Sequence, residues 1–93
     1  MPSDFRDIDP RELRLPPSRQ GADPFKLHRQ IARFGASDAG MPAPWVYESP
    51  DGCLVLYNGV TRATRIAKLA PGQTIRVEVI GRIRRVAVND PKI

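Results

Sequence analysis

The stretch from Trp45 to Ile80 most constrains what this chain can become, because turn residues and hydrophobic periodicity there agree on successive elements. Trp45-Val46-Tyr47-Glu48 is rich in strand formers, Pro50-Asp51-Gly52 is turn chemistry, and Cys53-Leu54-Val55-Leu56-Tyr57 reads as a second strand. Together they predict a β-hairpin. Asn58-Gly59 breaks the second strand. From Val60 to Ala70 the apolar residues Val60, Ala63, Ile66, Ala67 and Ala70 follow a helical period, and Pro71-Gly72 ends the helix. Its exposed face is expected to present Thr61, Arg65 and Lys68. Thr74 to Ile80 alternates Ile75, Val77 and Val79 inward with Arg76 and Glu78 outward, as a half-buried strand does. After Gly81, Arg82 to Val88 forms either one more strand or a basic tail, ended by Asn89-Asp90-Pro91.

The N-terminal half supplies one strong helix. Asp23 is placed to cap it, Pro24 suits its first position, and Phe25, Leu27, Ile31 and Phe34 fall near a 3.6-residue period with Lys26, Arg29, Gln30 and Arg33 pointing elsewhere. Gly35 supplies the stop, so the helix is predicted over residues 24 to 34. Before it, Asp9-Pro10-Arg11-Glu12 predicts a short helical turn between brief extended pieces, and Pro16-Pro17-Ser18-Arg19-Gln20-Gly21 can only be a loop. Small residues and prolines make Ala36 to Pro44 another loop. The expected fold is therefore α/β: a small single domain over residues 1–93, with a mixed sheet and two main helices.

Length limits the chain to one hydrophobic core, since 93 residues cannot furnish two. A hydrophobic fraction of 41% against 27% charged residues argues for a folded domain despite the ten prolines. The apolar runs are far short of the roughly 20 residues a membrane-spanning helix needs, and the acidic start Met1-Pro2-Ser3-Asp4 lacks the apolar stretch of a secretory leader. The chain thus reads as cytoplasmic, or as a piece of a larger protein. Cys53 is the single cysteine, so no internal disulfide forms, and it reads as a small core residue.

Charge is unevenly placed. Residues 1 to 58 hold seven basic and eight acidic residues, a balance of −1, whereas residues 59 to 93 hold eight basic residues against Glu78 and Asp90, a balance of +6. That asymmetry favours an anionic partner meeting the C-terminal part, although surface charge kept for solubility gives the same tally.

The turn into the second helix has a physical reason to bind such a partner. A strand that stops at Asn58-Gly59 and passes directly into a helix leaves the first helical N–H groups unpaired, and they and the helix dipole attract an anion. Gly59 is expected to let a phosphate approach the backbone, Thr61 to donate its hydroxyl, and Arg62 to offer its planar fork, with Arg65 one turn further along.

These residues also resemble a known family. The run Asp51-Gly52-Cys53-Leu54-Val55-Leu56-Tyr57-Asn58-Gly59-Val60-Thr61-Arg62-Ala63-Thr64-Arg65, followed by Leu69-Ala70-Pro71-Gly72-Gln73-Thr74-Ile75-Arg76-Val77-Glu78-Val79, is similar to the ParB N-terminal / sulfiredoxin-like domain. That family shows a hairpin strand, a Gly-x-x-Arg turn into a helix, a glycine ending the helix, and a strand. The order of the earlier elements fits as well, although only Gly59 and Arg62 match strictly. The resemblance implies a pocket for the phosphates of a nucleotide at Gly59 to Arg62; with the turn residue Asn58 and with Arg65, the expected site for nucleotide or nucleic-acid phosphate is Asn58, Gly59, Thr61, Arg62 and Arg65, and a nucleotide with magnesium is allowed as cofactor. It also implies, for an enzyme, a ParB-like nuclease or a nucleotide hydrolase. Sulfiredoxin chemistry needs a cysteine between the glycine and the arginine, where this chain has Val60-Thr61. The helix-turn-helix of partition proteins is not within the chain, so partition-site binding is not expected.

Other residues carry weaker signals. Arg82, Arg84 and Arg85 form the densest basic cluster and can contact a nucleic-acid backbone, or can protect a sheet edge from aggregation. Trp45 and Tyr47 can stack on a base, while a lone tryptophan in so small a domain is ordinarily core. Asp7, Asp9 and Glu12 can hold a divalent ion beside a phosphate, or serve helix starts and solvation. No metal-ligand spacing surrounds His28, the only histidine, which is expected on the side of the first good helix, and no metal site is assigned. The competing functional class is a protein-interaction or assembly module using the sheet edge or the loop Met41 to Trp45. A nuclease-like cargo domain of a larger toxin is a further alternative, and a homodimer is compatible with either.

Overall fold

The computed structural model describes residues 3–93. Four strands, β1 (Asp4–Ile8), β2 (Trp45–Glu48), β3 (Leu54–Leu56) and β4 (Ile75–Arg82), form one sheet in the order β1-β4-β2-β3. β1 pairs antiparallel with β4, and β2 antiparallel with β3, whereas β2 and β4 run parallel. A parallel pair needs a crossover, and helix α2 (Val60–Leu69) provides it. The architecture is thus the expected small α/β domain with two helices and a mixed sheet.

Local chemistry accounts for each element. Helix α1 (Pro24–Phe34) begins where the Asp23 carboxylate accepts the N–H groups of Phe25 and Lys26, and ends at Gly35, whose φ of +58° few other residues tolerate. A single 3-10 turn, Pro10–Glu12, is capped in the same way by Asp9. The hairpin closes on Ser49, whose hydroxyl accepts the N–H of Cys53 at 3.0 Å. Strand β4 runs on through Gly81 to Arg82, after which the chain becomes the tail, with only an isolated bridge from Lys92 to Arg14.

The core lies between one face of the sheet and α2. Val46, Leu54, Leu56, Ile75 and Val77 from the strands meet Val60, Ala63 and Ile66 from α2, and Leu13 and Leu15 close one end. Burying such side chains contributes roughly 1.5–3 kcal/mol each, and truncating the fully buried Ile66 to alanine would cost about 2–5 kcal/mol. Helix α1 is different. None of its residues is buried; Leu27 and Ile31 are half-covered, and Phe25 remains 80% exposed. Among the described residues no helix is long and apolar enough to cross a membrane.

Candidate functional site

The turn into α2 is built by two neighbouring strands. Tyr57 donates its N–H to the Trp45 carbonyl at 2.8 Å, and the Asn58 side-chain oxygen accepts the Trp45 N–H at 2.8 Å. Asn58 therefore braces the turn with its oxygen. Gly59 follows with φ of +82°, a left-handed conformation, and no side chain caps the helix it opens. The first helical bond runs from Ala63 N–H to the Gly59 carbonyl, so the N–H groups of Val60, Thr61 and Arg62 have no acceptor among the described residues. The half-buried Thr61 hydroxyl makes no hydrogen bond there either.

Gly59 serves the arginine rather than open space for a phosphate. A Cβ at this position would lie 2.7 Å from Pro44 Cβ and 2.9 Å from Arg62 Nη2. The missing side chain thus admits the Arg62 guanidinium, which folds back over the start of its own helix. That guanidinium is half-buried, and among the described residues its Nε is buried without a partner and no carboxylate pairs with it. Burial alone pushes its pKa below the usual arginine range.

Arg65 corrects the expectation of an exposed helix face. It is only 2% exposed, and its Nη1 donates to the carbonyls of Gly35 at 2.8 Å and Ser37 at 2.6 Å. Its guanidinium carbon sits 5.3 Å from the centre of the Phe34 ring. The end of α1 and the loop after it wrap the side of α2 away from the sheet, and Arg65 pins them there. Lys68 does remain exposed.

Arg62 and Arg65 both line one cleft of about 210 Å3, closed by Gln30 and Phe34 of α1 and by Gly40, Met41 and Pro42 of the following loop. The Arg65 Nε and a Gln30 side-chain oxygen are also buried without partners. Among the described residues no acidic side chain lines the cleft. Asn58, Gly59 and Thr61 do not line it, so its own chemistry is two cations and one apolar wall, which suits an anionic ligand with a flat or apolar portion.

The remaining expected residues are dispersed. Arg82 is highly exposed, with Glu48 3.8 Å away, and Arg84 is exposed without a partner among the described residues. Arg85 is held by Asp90, at 2.8 Å. Trp45 is not core: it is 42% exposed on the sheet face away from α2, its ring nearly parallel to that of Tyr57. Cys53 is half-buried and His28 is exposed on α1. The acids are separated, with Asp9 against Arg11, Asp7 near Arg76 and Glu12 against Lys92, and among the described residues no His, Cys, Asp or Glu group gathers to hold a metal ion.

The sequence reading missed two carboxylates. Asp51 accepts the Ser49 hydroxyl and the N–H groups of Ala87 and Val88, and these bonds hold its pKa down at about 2. Glu48 accepts a hydrogen bond from Arg6, at 2.7 Å, which lowers its pKa. Arg6, Ala87 and Val88 lie far along the chain from these carboxylates, so no local pattern announces those contacts, whereas the Ser49 to Asp51 bond is local to the hairpin turn. Neither comparison with known family profiles nor comparison with curated protein sequences finds a match to this chain.

Proposed function

We propose that this domain binds a phosphate-bearing ligand, a nucleotide in the first instance, in the cleft at the start of α2, as a ParB/sulfiredoxin-like domain would. One observation carries the reading: Arg62 is partly desolvated, has no carboxylate partner among the described residues, and belongs to the first turn of a helix whose first three N–H groups are unpaired. A half-buried cation without an anion is costly, and a bound phosphate supplies the missing charge. Arg62 and the helix start hold the phosphate, Thr61 adds a hydroxyl, Arg65 shapes the cleft wall, and Phe34 and Met41 offer apolar contact to the rest of the ligand. If the domain is also a catalyst, phosphodiester or nucleotide hydrolysis is the matching reaction class, within a nuclease-like cargo module or a free-standing protein.

The test is thermal stability with ATP, CTP, GTP and inorganic phosphate, with and without magnesium, on the wild type and Arg62→Ala. Ligand at about 100 times its Kd stabilises by about 2.7 kcal/mol. The expected result is stabilisation by phosphate-bearing ligands that disappears in the variant. No shift with any of them at low salt refutes the reading.

A second reading rests on the exposure of Phe25 and Phe34 on α1, which suits a protein-interaction module. Salt separates the two, because an anion site weakens as salt rises and an apolar interface does not.

A further inference from the structure

The sheet has a second face, and among the described residues no helix covers it. Register places Phe5, Glu78 and Trp45 side by side across β1, β4 and β2, while the adjoining Val46 and Val77 point into the core. Tyr57 lies beside Trp45 on the same face, with ring centroids 6.3 Å apart and planes 15° apart, and the Tyr47 ring meets Tyr57 edge-on at 5.8 Å. Gly81 keeps this surface flat, since a Cβ there would come within 3.0 Å of the Tyr47 ring. Trp45 and Tyr57 remain 42% and 50% exposed.

Glu78 stands beside Trp45, but the charge around the neighbouring rings is positive and favours one occupant. A groove of about 370 Å3 takes in the Tyr47 and Tyr57 rings, and Val55, Arg19, Ile83 and Arg85 also line it, while Trp45 lies beside it next to Tyr57. No carboxylate lines it. Arg85 engages Asp90 through Nη1 alone, and Arg19 uses one nitrogen on the Tyr57 carbonyl, so each retains unused donors. Arg82 and Arg84 extend the positive charge along the same segment. Aromatic faces bordered by arginine forks match a polymer that alternates flat bases with phosphates.

We infer that this open face is a binding site for single-stranded nucleic acid, whose bases stack on Trp45 and Tyr57 while its phosphates meet Arg19 and Arg85. The site is separate from the α2 cleft and does not depend on it. Duplex is excluded by the contact itself, because paired bases do not offer their faces to a side chain.

Trp45 is the only tryptophan, so its fluorescence reports stacking directly. The full chain is titrated at low salt with end-labelled oligothymidylate of about 12 nucleotides and with an abasic oligomer of the same length and charge. The expected outcome is quenching of Trp45 by the oligothymidylate, and at least about tenfold tighter binding of it than of the abasic strand by anisotropy. Tyr57→Leu removes most of that difference, and Arg19→Gln lowers the salt dependence by about one phosphate contact. Retention of oligomer binding by Arg62→Ala further supports a site distinct from the cleft.

Equal affinity for the two strands, unchanged Trp45 emission at saturation, or no binding of either overturns the inference. So does binding that survives Tyr57→Leu but is lost in Arg62→Ala, since the strand then occupies the cleft. The abasic comparison needs no substitution, so the inference stays testable even if Tyr57→Leu does not fold.

Discussion

Replacing Arg65 by alanine separates a brace from a ligand-binding arm. In the folded protein its guanidinium donates to two loop carbonyls and lies over Phe34. Hydrogen bonds to charged groups contribute roughly 1.5–3 kcal/mol each, and a partly desolvated cation–π contact about 0.5–2 kcal/mol. The loop carbonyls can turn to water once the arginine is gone, which brings the expected loss down to about 3 kcal/mol. For a domain of this size that corresponds to a fall in melting temperature of roughly 10–25 °C. The assay is a thermal melt in phosphate-free buffer, with Arg65→Met alongside. Methionine keeps the buried stem and loses the donors, so its melt falls between the other two. An Arg65→Ala protein that melts within about 4 °C of wild type would refute the brace, because less than about 1 kcal/mol would then depend on it. If that same protein lost phosphate stabilisation, Arg65 would be a ligand residue instead.

Three further outcomes follow from the same geometry. Arg62→Ala removes a desolvated cation that has no partner, so its melting temperature in phosphate-free buffer is unchanged or raised; a fall of more than about 5 °C would show an unrecognised structural role. Gly59→Ala meets both a φ of +82° and a contact 2.7 Å from Pro44, and is expected to cost about 2–4 kcal/mol; a wild-type melt would contradict that turn geometry. Asp51 is held at about 2 against an ordinary 3.8, so its contribution is complete above about pH 4 and lost as pH falls through about 2. Asp51→Asn should flatten the acid limb of melting temperature against pH over that window, and should speed hydrogen exchange at the Ala87 and Val88 amides near neutrality. An acid limb identical to that of wild type would refute the assignment.

Where punctuation was local, the chain could be read to the residue. Asp23-Pro24 and Gly35 bound α1 at the expected positions because capping involves only neighbours. The hairpin and the break before α2 were legible for the same reason. Burial was less so. The apolar stripe of α2 predicts Arg65 on the solvent side, and it does lie opposite the sheet, but periodicity describes one buried face and α2 has two. The second cover comes from residues 34–41, a long-range packing event that no helical pattern encodes. Trp45 differs in the opposite direction from the core placement usual for a lone tryptophan: it lies on the far side of the sheet from Val46, and among the described residues no second layer of the fold covers it.

The double cover of α2 also explains why two arginines one turn apart differ in what they leave unsatisfied. Arg65 reaches the loop after α1 and finds carbonyl dipoles, which use its donors and still leave its charge unneutralised. Arg62 reaches back over Gly59 and finds Pro44, which accepts no hydrogen bond from it. The same helix begins, within the turn that carries Arg62, with the positive end of its dipole and three unpaired N–H groups. Closing the cleft more tightly therefore makes the absence of a negative charge more costly. The attraction between Arg62 and an anion grows stronger as this cleft loses water, and that links the packing of α1 to phosphate affinity. On this argument a substitution that loosens α1, such as Leu27→Ala, weakens phosphate binding without touching a binding residue. A Leu27→Ala protein that remains folded and binds phosphate as tightly as wild type would break the link.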